Sequence, residues 1–265
     1  KNLKGDFQLL NGNQIGSLLT YYVLSSKQDK GILKDNDYIV KTIVTSNLIA
    51  DIGRSFDVKY YETLTGFKFI GEVITRESGK ENYLVGGEES YGYLVGDLVR
   101  DKDAVNACAF IAEMAAYFKN QGKTLFEVLV ELYGKYGFYQ EKLISLTKKG
   151  KAGADEIKQM MVDLRANAPT SLGGVAVREI RDYQQLETLN VMTGEQSTID
   201  LPQSDVLQFI TVDGDVISAR PSGTEPKIKF YCSVKEELAD ASLFDAVAAK
   251  LELKVANIMA DIVKS

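Results

Sequence analysis

Between residues 13 and 121 the apolar positions alternate between two periods. Ile15 to Leu24 carries helical spacing with Asn13 as the expected N-cap, and Y-I-V-K-T-I-V-T over Tyr38 to Thr45 is a β-branched run suited to a buried strand. Helical spacing over Leu48 to Phe56, a strand over Val58 to Glu62, a helix over Phe67 to Ile74 and a strand over Tyr83 to Val85 follow. This alternation predicts a layered α/β domain with a mixed, mainly parallel sheet. The strongest helical pattern is Ala104 to Lys119, with Val105, Cys108, Ile111, Ala112, Ala115 and Phe118 on the face expected to be buried and Asp101 or Asp103 as cap. Gly122 then reads as a helix stop, and Thr124 with Glu127 as the capping box of a helix ending near Tyr133.

The segment G-K-Y-G-F, with Gly134 and Gly137, breaks the helical pattern and places a domain boundary at 137/138. Beyond it the spacing predicts a strand over Tyr139 to Leu146, a helix over Asp155 to Ala166 stopped by Pro169, and a strand over Val175 to Arg181. Val206 to Val212 and Val216 to Ala219 read as a hairpin turned by D-G-D. A loop from Arg220 to Pro226, a strand over Ile228 to Val234 and a terminal helix of roughly 25 residues complete the pattern. The expectation is an α/β protein: residues 1–137 as the layered domain, and 138–265 as a smaller α+β domain with a largely antiparallel sheet and flanking helices.

Composition narrows the chemistry. The chain has 265 residues, 45% of them apolar and none histidine. Without the usual general base and commonest metal ligand, Ser-His-Asp and Cys-His hydrolases and histidine-ligated zinc are excluded. The 37 acidic and 31 basic residues give a net charge of -6, with none of the basic excess that nucleic-acid binding needs. No apolar stretch approaches the ~20 residues that span a bilayer, so no membrane association is expected and the cytoplasm is the expected location. Cys108 and Cys232 each sit in an apolar run and are expected to be buried, reduced thiols.

Three segments could carry chemistry. Arg220-Pro221-Ser222-Gly223-Thr224-Glu225-Pro226-Lys227-Ile228-Lys229 combines cations, two hydroxyls and a backbone-exposing glycine, the parts of a phosphate site; a rigid Pro/Gly turn with solvated cations fits the same residues. Gly86-Gly87-Glu88-Glu89-Ser90-Tyr91-Gly92-Tyr93 follows a strand end, where open α/β sheets bind ligands, and its carboxylates and hydroxyl suit sugar hydroxyls; an acidic turn is the alternative. A glycosidase pair fits poorly, because adjacent carboxylates diverge on an extended chain. In Arg100-Asp101-Lys102-Asp103 a lysine stands at a helix N-terminus, where the dipole disfavours it. The G-K-T at Gly122 to Thr124 is no P-loop, since the required first glycine would fall at Tyr117.

Taken in order, T-L-T-G-F-K-F-I (Thr63 to Ile70), G-G-E-E-S-Y-G-Y, V-R-D-K-D-A-V and R-P-S-G-T-E-P-K-I-K-F-Y resemble the α-D-phosphohexomutase family, the phosphoglucomutases and phosphomannomutases. That family has four domains, and the resemblance covers only the third and fourth. The chain is therefore expected to be the C-terminal half of a longer enzyme, missing the histidine-bearing phosphoserine loop and the D-G-D-x-D-R magnesium loop; Asp213-Gly214-Asp215 is followed by V-I-S and reads as a hairpin turn. The resemblance implies sugar-hydroxyl contacts for Glu88 and Ser90, with Glu89 beside them, and a substrate-lining role for Thr65, Gly66 and Lys68. It implies proton transfer by Lys102, and phosphate binding by Arg220, Ser222, Gly223 and Thr224, with Lys229 in support. It further implies interconversion of hexose 1-phosphate and hexose 6-phosphate through a glucose 1,6-bisphosphate intermediate. Mg2+ would be held by the missing N-terminal domains, and no metal ligand is expected in this chain. A phosphopentomutase or glucose-1,6-bisphosphate synthase of the same family, or a non-catalytic sugar-phosphate-binding module, are the alternatives.

Overall fold

Six consecutive buried positions in D-Y-I-V-K-T make β1 (Asp37–Thr42) the centre of a four-stranded sheet ordered β2-β1-β3-β4. β2 (Lys59–Thr63) and β3 (Asn82–Gly87) flank it in parallel, and β4 (Tyr93–Val95) closes the edge antiparallel to β3. The computed structural model describes residues 1–264 and separates them into two compact units. The first comprises Lys1–Phe138 and Glu237–Ala241, and the second Tyr139–Glu236 with the residues from Ser242 onward. The return of Glu237–Ala241 to the first unit has no signature in the apolar pattern.

In the first unit the helices are α1 (Gly12–Asp29), α2 (Leu48–Ser55), α3 (Phe67–Glu77), α4 (Ala104–Asn120) and α5 (Leu125–Tyr136). Tyr38 and Val40 point to one face of the sheet and pack with Phe67, Ile70, Val73 and Ile74 of α3. Each such side chain, once fully buried, contributes about 1.5–3 kcal/mol. The expected α/β alternation is present with ends shifted by a few residues. Only β4, three residues long, escaped it, because three residues hold too few positions for a period to show.

Two expectations about α1 and α4 are corrected. Asn11, not Asn13, caps α1: its Oδ1 accepts the Gln14 amide, while the Gln14 side chain accepts the Asn11 amide. Asn13 lies inside the helix, buried, and accepts the Ser46 amide at 2.9 Å. In α4 the buried residues are Ala107, Met114 and Phe118, whereas Val105 and Cys108 are exposed. Alanines lie on both sides of this helix, so its facing is chosen by its large side chains: Tyr117 and Phe118 meet Tyr22 edge to face at ring distances of 5.3 and 6.1 Å. Cys232 is buried as expected, with its thiol pushed up to about 12 by burial.

The second unit is built on a sheet ordered β5-β12-β11-β10-β7-β8-β9, with the two-residue β6 paired to β7. Its strands are β5 (Phe138–Thr147), β6 (Ser171–Leu172), β7 (Val175–Asp182), β8 (Glu187–Asn190), β9 (Gln196–Thr198), β10 (Leu207–Thr211), β11 (Val216–Pro221) and β12 (Lys227–Glu236). The pairings from β12 through β9 are antiparallel. Helices α6 (Gly150–Ala166) and α7 (Phe244–Lys264) pack against it. The expected α+β character holds; β6, β8 and β9 are short or polar and carry no pattern. Because β11 runs on to Pro221 and β12 begins at Lys227, the loop expected over Arg220 to Pro226 is confined to residues 222–226. No helix among the described residues is long and apolar enough to cross a membrane.

Candidate functional site

Because β1, β2 and β3 are parallel, Thr42, Thr63 and Gly87 bring three loops to one edge of the first unit's sheet, the place where open α/β sheets bind ligands. The loop after β2 holds Thr65 and Gly66. Gly66 has φ +119, a left-handed conformation that favours glycine, and leads into α3 with its amide free of the helix. That amide donates to Glu88 Oε1 at 2.9 Å, tying the loop after β2 to the loop after β3. The Glu88 amide donates to the Gly92 carbonyl at 2.8 Å, closing a turn whose tip is Ser90 and Tyr91. Ser90 is exposed and Glu88 and Glu89 are half-buried; Tyr91 is exposed with φ +69, a conformation unusual for an aromatic residue.

Lys102 approaches the same turn. A Cβ built on Gly92 would stand 3.0 Å from Lys102 Cδ and 3.3 Å from Glu88 Oε2, so the two side chains converge over a residue that has none. Lys102 Nζ pairs with Asp101 Oδ1 at 3.1 Å, and this side-chain bond, with the Lys102 amide, holds the Asp101 carboxyl below its ordinary value. Asp103 caps α4 by accepting from the Val105 and Asn106 amides, which offsets the unfavourable placing of a lysine there. Gly66, Glu88 and Lys102 are thus brought together, with Thr65 and Ser90 beside them. Lys68 lies in the first turn of α3 with its Nζ 4.8 Å from the Phe69 ring.

In the second unit, Arg220 of β11 and Lys229 of β12 are directly opposite in the antiparallel register. Like charges in that position repel, and neither makes an ion pair among the described residues, so an anion between them would relieve the repulsion. Between the strands the loop is tied by the Ser222 amide donating to Lys227 O at 2.7 Å, while Ser222 Oγ accepts the Glu225 and Thr224 amides at 3.3 and 3.4 Å. Thr224 is exposed. Gly223 has no left-handed φ and open space around a built Cβ, so the fold itself does not require glycine there; close approach of a ligand to the backbone would.

Asp213 and Asp215 do not suit a metal. Asp215 is fully buried, accepts from Thr211 Oγ1 at 3.0 Å and pairs with Lys254 Nζ at 2.8 Å; Lys254 also reaches Asp213 at 3.1 Å. Burial opposes the Lys254 charge, but the two carboxylates outweigh it and its pKa is raised. No group of three or more metal-ligating side chains occurs among the described residues.

The motif reading missed what lies beneath the first site. Lys41, 1% exposed, donates to the carbonyls of Thr42 and Thr45 and pairs with Glu62 at 2.6 Å, bracing the loop after β1. Tyr93 donates its hydroxyl to Gly12 O at 2.6 Å, its pKa raised by burial. A lysine inside an otherwise apolar strand pattern was the available signal for the first; the second joins residues 81 apart and has none.

The family model for phosphoglucomutase/phosphomannomutase, alpha/beta/alpha domain III, matches residues 11–136, and that for the phosphoglucomutase/phosphomannomutase C-terminal domain matches residues 154–250. A phosphoglucomutase of Staphylococcus epidermidis is 35% identical over 257 residues, covering 97% of this chain and 45% of the relative. One of Staphylococcus aureus is 37% identical over 255 residues, covering 96% and 44%. The chain therefore spans less than half the length of these relatives. Among solved structures, the phosphoglucomutase parafusin from Paramecium superposes with a TM-score of 0.59 at 19% identity, over 97% of this chain and 42% of that one. A putative phosphomannomutase from Thermus thermophilus gives 0.53 at 18% identity, over 90% and 40%. At such identities the likeness is one of fold. With both of its units matched by consecutive domain models of one family, the chain belongs to the phosphoglucomutase/phosphomannomutase family, as its domain III and C-terminal domain.

Proposed function

We propose that this chain is the substrate-gripping half of a phosphohexomutase that interconverts hexose 1-phosphate and hexose 6-phosphate in the cytoplasm. The Glu88 carboxylate accepts from vicinal sugar hydroxyls, and Ser90 at the turn tip donates or accepts beside it. Lys102, converging on the same turn, holds a proton where phosphoryl transfer changes the charge on a sugar oxygen. Thr65, Gly66, Lys68 and Glu89 line this site. Arg220 grips the non-reacting phosphate as a two-pronged donor, with Ser222, Gly223, Thr224 and Lys229 around it; each such charge-assisted hydrogen bond is worth roughly 1.5–3 kcal/mol. A sugar carrying a phosphate at either end suits such a pair of loops in both orientations, which a 1,6-bisphosphate intermediate requires.

The observation that carries this reading is the Gly66 amide bond to Glu88 Oε1, with the second carboxylate oxygen and the Lys102 side chain both lying against Gly92. The phosphoserine nucleophile and the Mg2+ ligands belong in this reading to the N-terminal domains of the same polypeptide; the D-G-D of this chain is a hairpin turn whose two carboxylates are held by Lys254. The phosphate loop is tested by melting the chain with inorganic phosphate. Phosphate at 100 times its dissociation constant stabilises the fold by roughly 2.7 kcal/mol. The expected result is a raised melting temperature in the wild type and none in Arg220→Ala; an equal rise in both removes Arg220 from the site.

A further inference from the structure

Gly12, in the first turn of α1, and Gly71, in the middle of α3, have ordinary helical φ angles, so their own backbones do not call for glycine. In a helix interior alanine is favoured over glycine by about 0.5–1 kcal/mol. What excludes a side chain is a neighbouring backbone. A Cβ on Gly12 would fall on the carbonyl oxygen of Glu89 and stand 3.1 Å from the Tyr91 amide nitrogen, and one on Gly71 would fall on the carbonyl oxygen of Arg100. Neither clash can be relieved by turning a side chain. Only the loop or the helix could move.

Both carbonyls belong to loops that carry site residues: Glu89 lies between Glu88 and Ser90, and Arg100 is two residues before Lys102. We propose that Gly12 and Gly71 are positioning residues for the mutase reaction, one seating the Glu88–Ser90 turn and the other the loop that delivers Lys102. The inference rests on the function proposed above. The α1 seat is locked from both sides, since the Tyr93 hydroxyl donates to Gly12 O at 2.6 Å and Asn13 Oδ1 accepts the Ser46 amide at 2.9 Å. The start of α1 therefore carries the loops after β1 and β3 together. The α3 seat lies in the helix that Gly66 opens, so the Glu88 partner and the Lys102 support share one rigid element.

The test uses the complete mutase polypeptide, with Gly12→Ala and Gly71→Ala compared with Gly134→Ala. Gly134 is in α5, and its built Cβ meets nothing nearer than Leu238 O at 3.7 Å, so this variant keeps wild-type kinetics. A misplacement of ~1 Å costs up to ~10²-fold in rate. Gly12→Ala is expected to act mainly through KM, because it moves the hydroxyl-reading turn. Gly71→Ala is expected to act mainly through kcat, because it moves Lys102. In this chain alone, the Gly66 amide resonance reports the bond to Glu88 and is expected to shift in Gly12→Ala and not in Gly134→Ala. Should Gly12→Ala not fold, Tyr93→Phe releases the same seat by removing only the hydroxyl, and a rise in KM is again expected. A lowered melting temperature with kcat and KM unchanged makes these glycines packing residues and overturns the inference. Glu88→Gln and Lys102→Met separate the two levels: wild-type kinetics in these variants defeat the proposed function, whereas loss in them beside wild-type kinetics in the glycine variants defeats only the seating.

Discussion

Lys41 shows how one residue can hold a site it does not touch. Its ammonium is buried among two carbonyls and the Glu62 carboxylate, which is itself about one-third exposed. Lys41→Met would remove the ammonium from all three, leaving Thr42 O with only the Thr45 amide at 3.1 Å. The expected cost is about 2–4 kcal/mol, near the lower end for breaking a buried pair because Glu62 keeps some water. A lowered urea midpoint at unchanged m-value checks it. The cysteines differ as sharply. Cys108 is exposed on α4, whereas the Cys232 thiol is buried and pushed up to about 12. Ellman's reagent is expected to modify Cys108 in the native chain and to reach Cys232 only in denaturant, so Cys108→Ser should show no native labelling. The exposure of Cys108 could not be read from its apolar neighbours, because alanine and cysteine are small enough to lie on either face of a helix.

At the scale of elements, local chemistry was the most legible. Thr124 and Glu127 form the expected reciprocal capping box of α5, with Gly122 at φ +78 just before it. Thr124→Ala is expected to cost about 1 kcal/mol. The Glu127 carboxyl lies below its ordinary value of 4.5, chiefly through the bond from the Thr124 amide and then from its hydroxyl. A lowered folded pKa means that this stabilisation is present above the ordinary value and is lost as pH falls through the folded one. Unfolding curves of wild type and Glu127→Gln are therefore expected to differ at neutral pH and to converge as pH falls past the ordinary carboxylate value and through the lowered one. A gap that persisted in acid would detach the box from Glu127 ionisation. Where the facing of a helix depends on partners, as in α4, periodicity was right for Phe118 and wrong for Val105, Cys108 and Ala112: contact with Tyr22 of α1 turns Tyr117 and Phe118 inward, and that choice belongs to packing.

At the scale of the whole molecule, the chain in the proposed reading carries two binding loops and no nucleophile. The purified chain is accordingly expected to leave glucose 1-phosphate unchanged; any interconversion above background would contradict that division of labour. Sequence by itself determined the order of the longer elements, the change from parallel to antiparallel sheet and the motif segments, because turn chemistry, capping and apolar period act over a few residues. It also singled out the segments that hold Glu88, Lys102 and Arg220, although Arg220 lies on β11 and not in the loop expected there. Tertiary structure alone decided which of them meet. The Gly66 amide reaches Glu88 across 22 positions, and Arg220 and Lys229 face each other only through the β11–β12 register. The glycines under the site are the furthest from view. A helical glycine has no periodic signature, and its reason, a carbonyl from a loop dozens of residues away, exists only once the chain has folded.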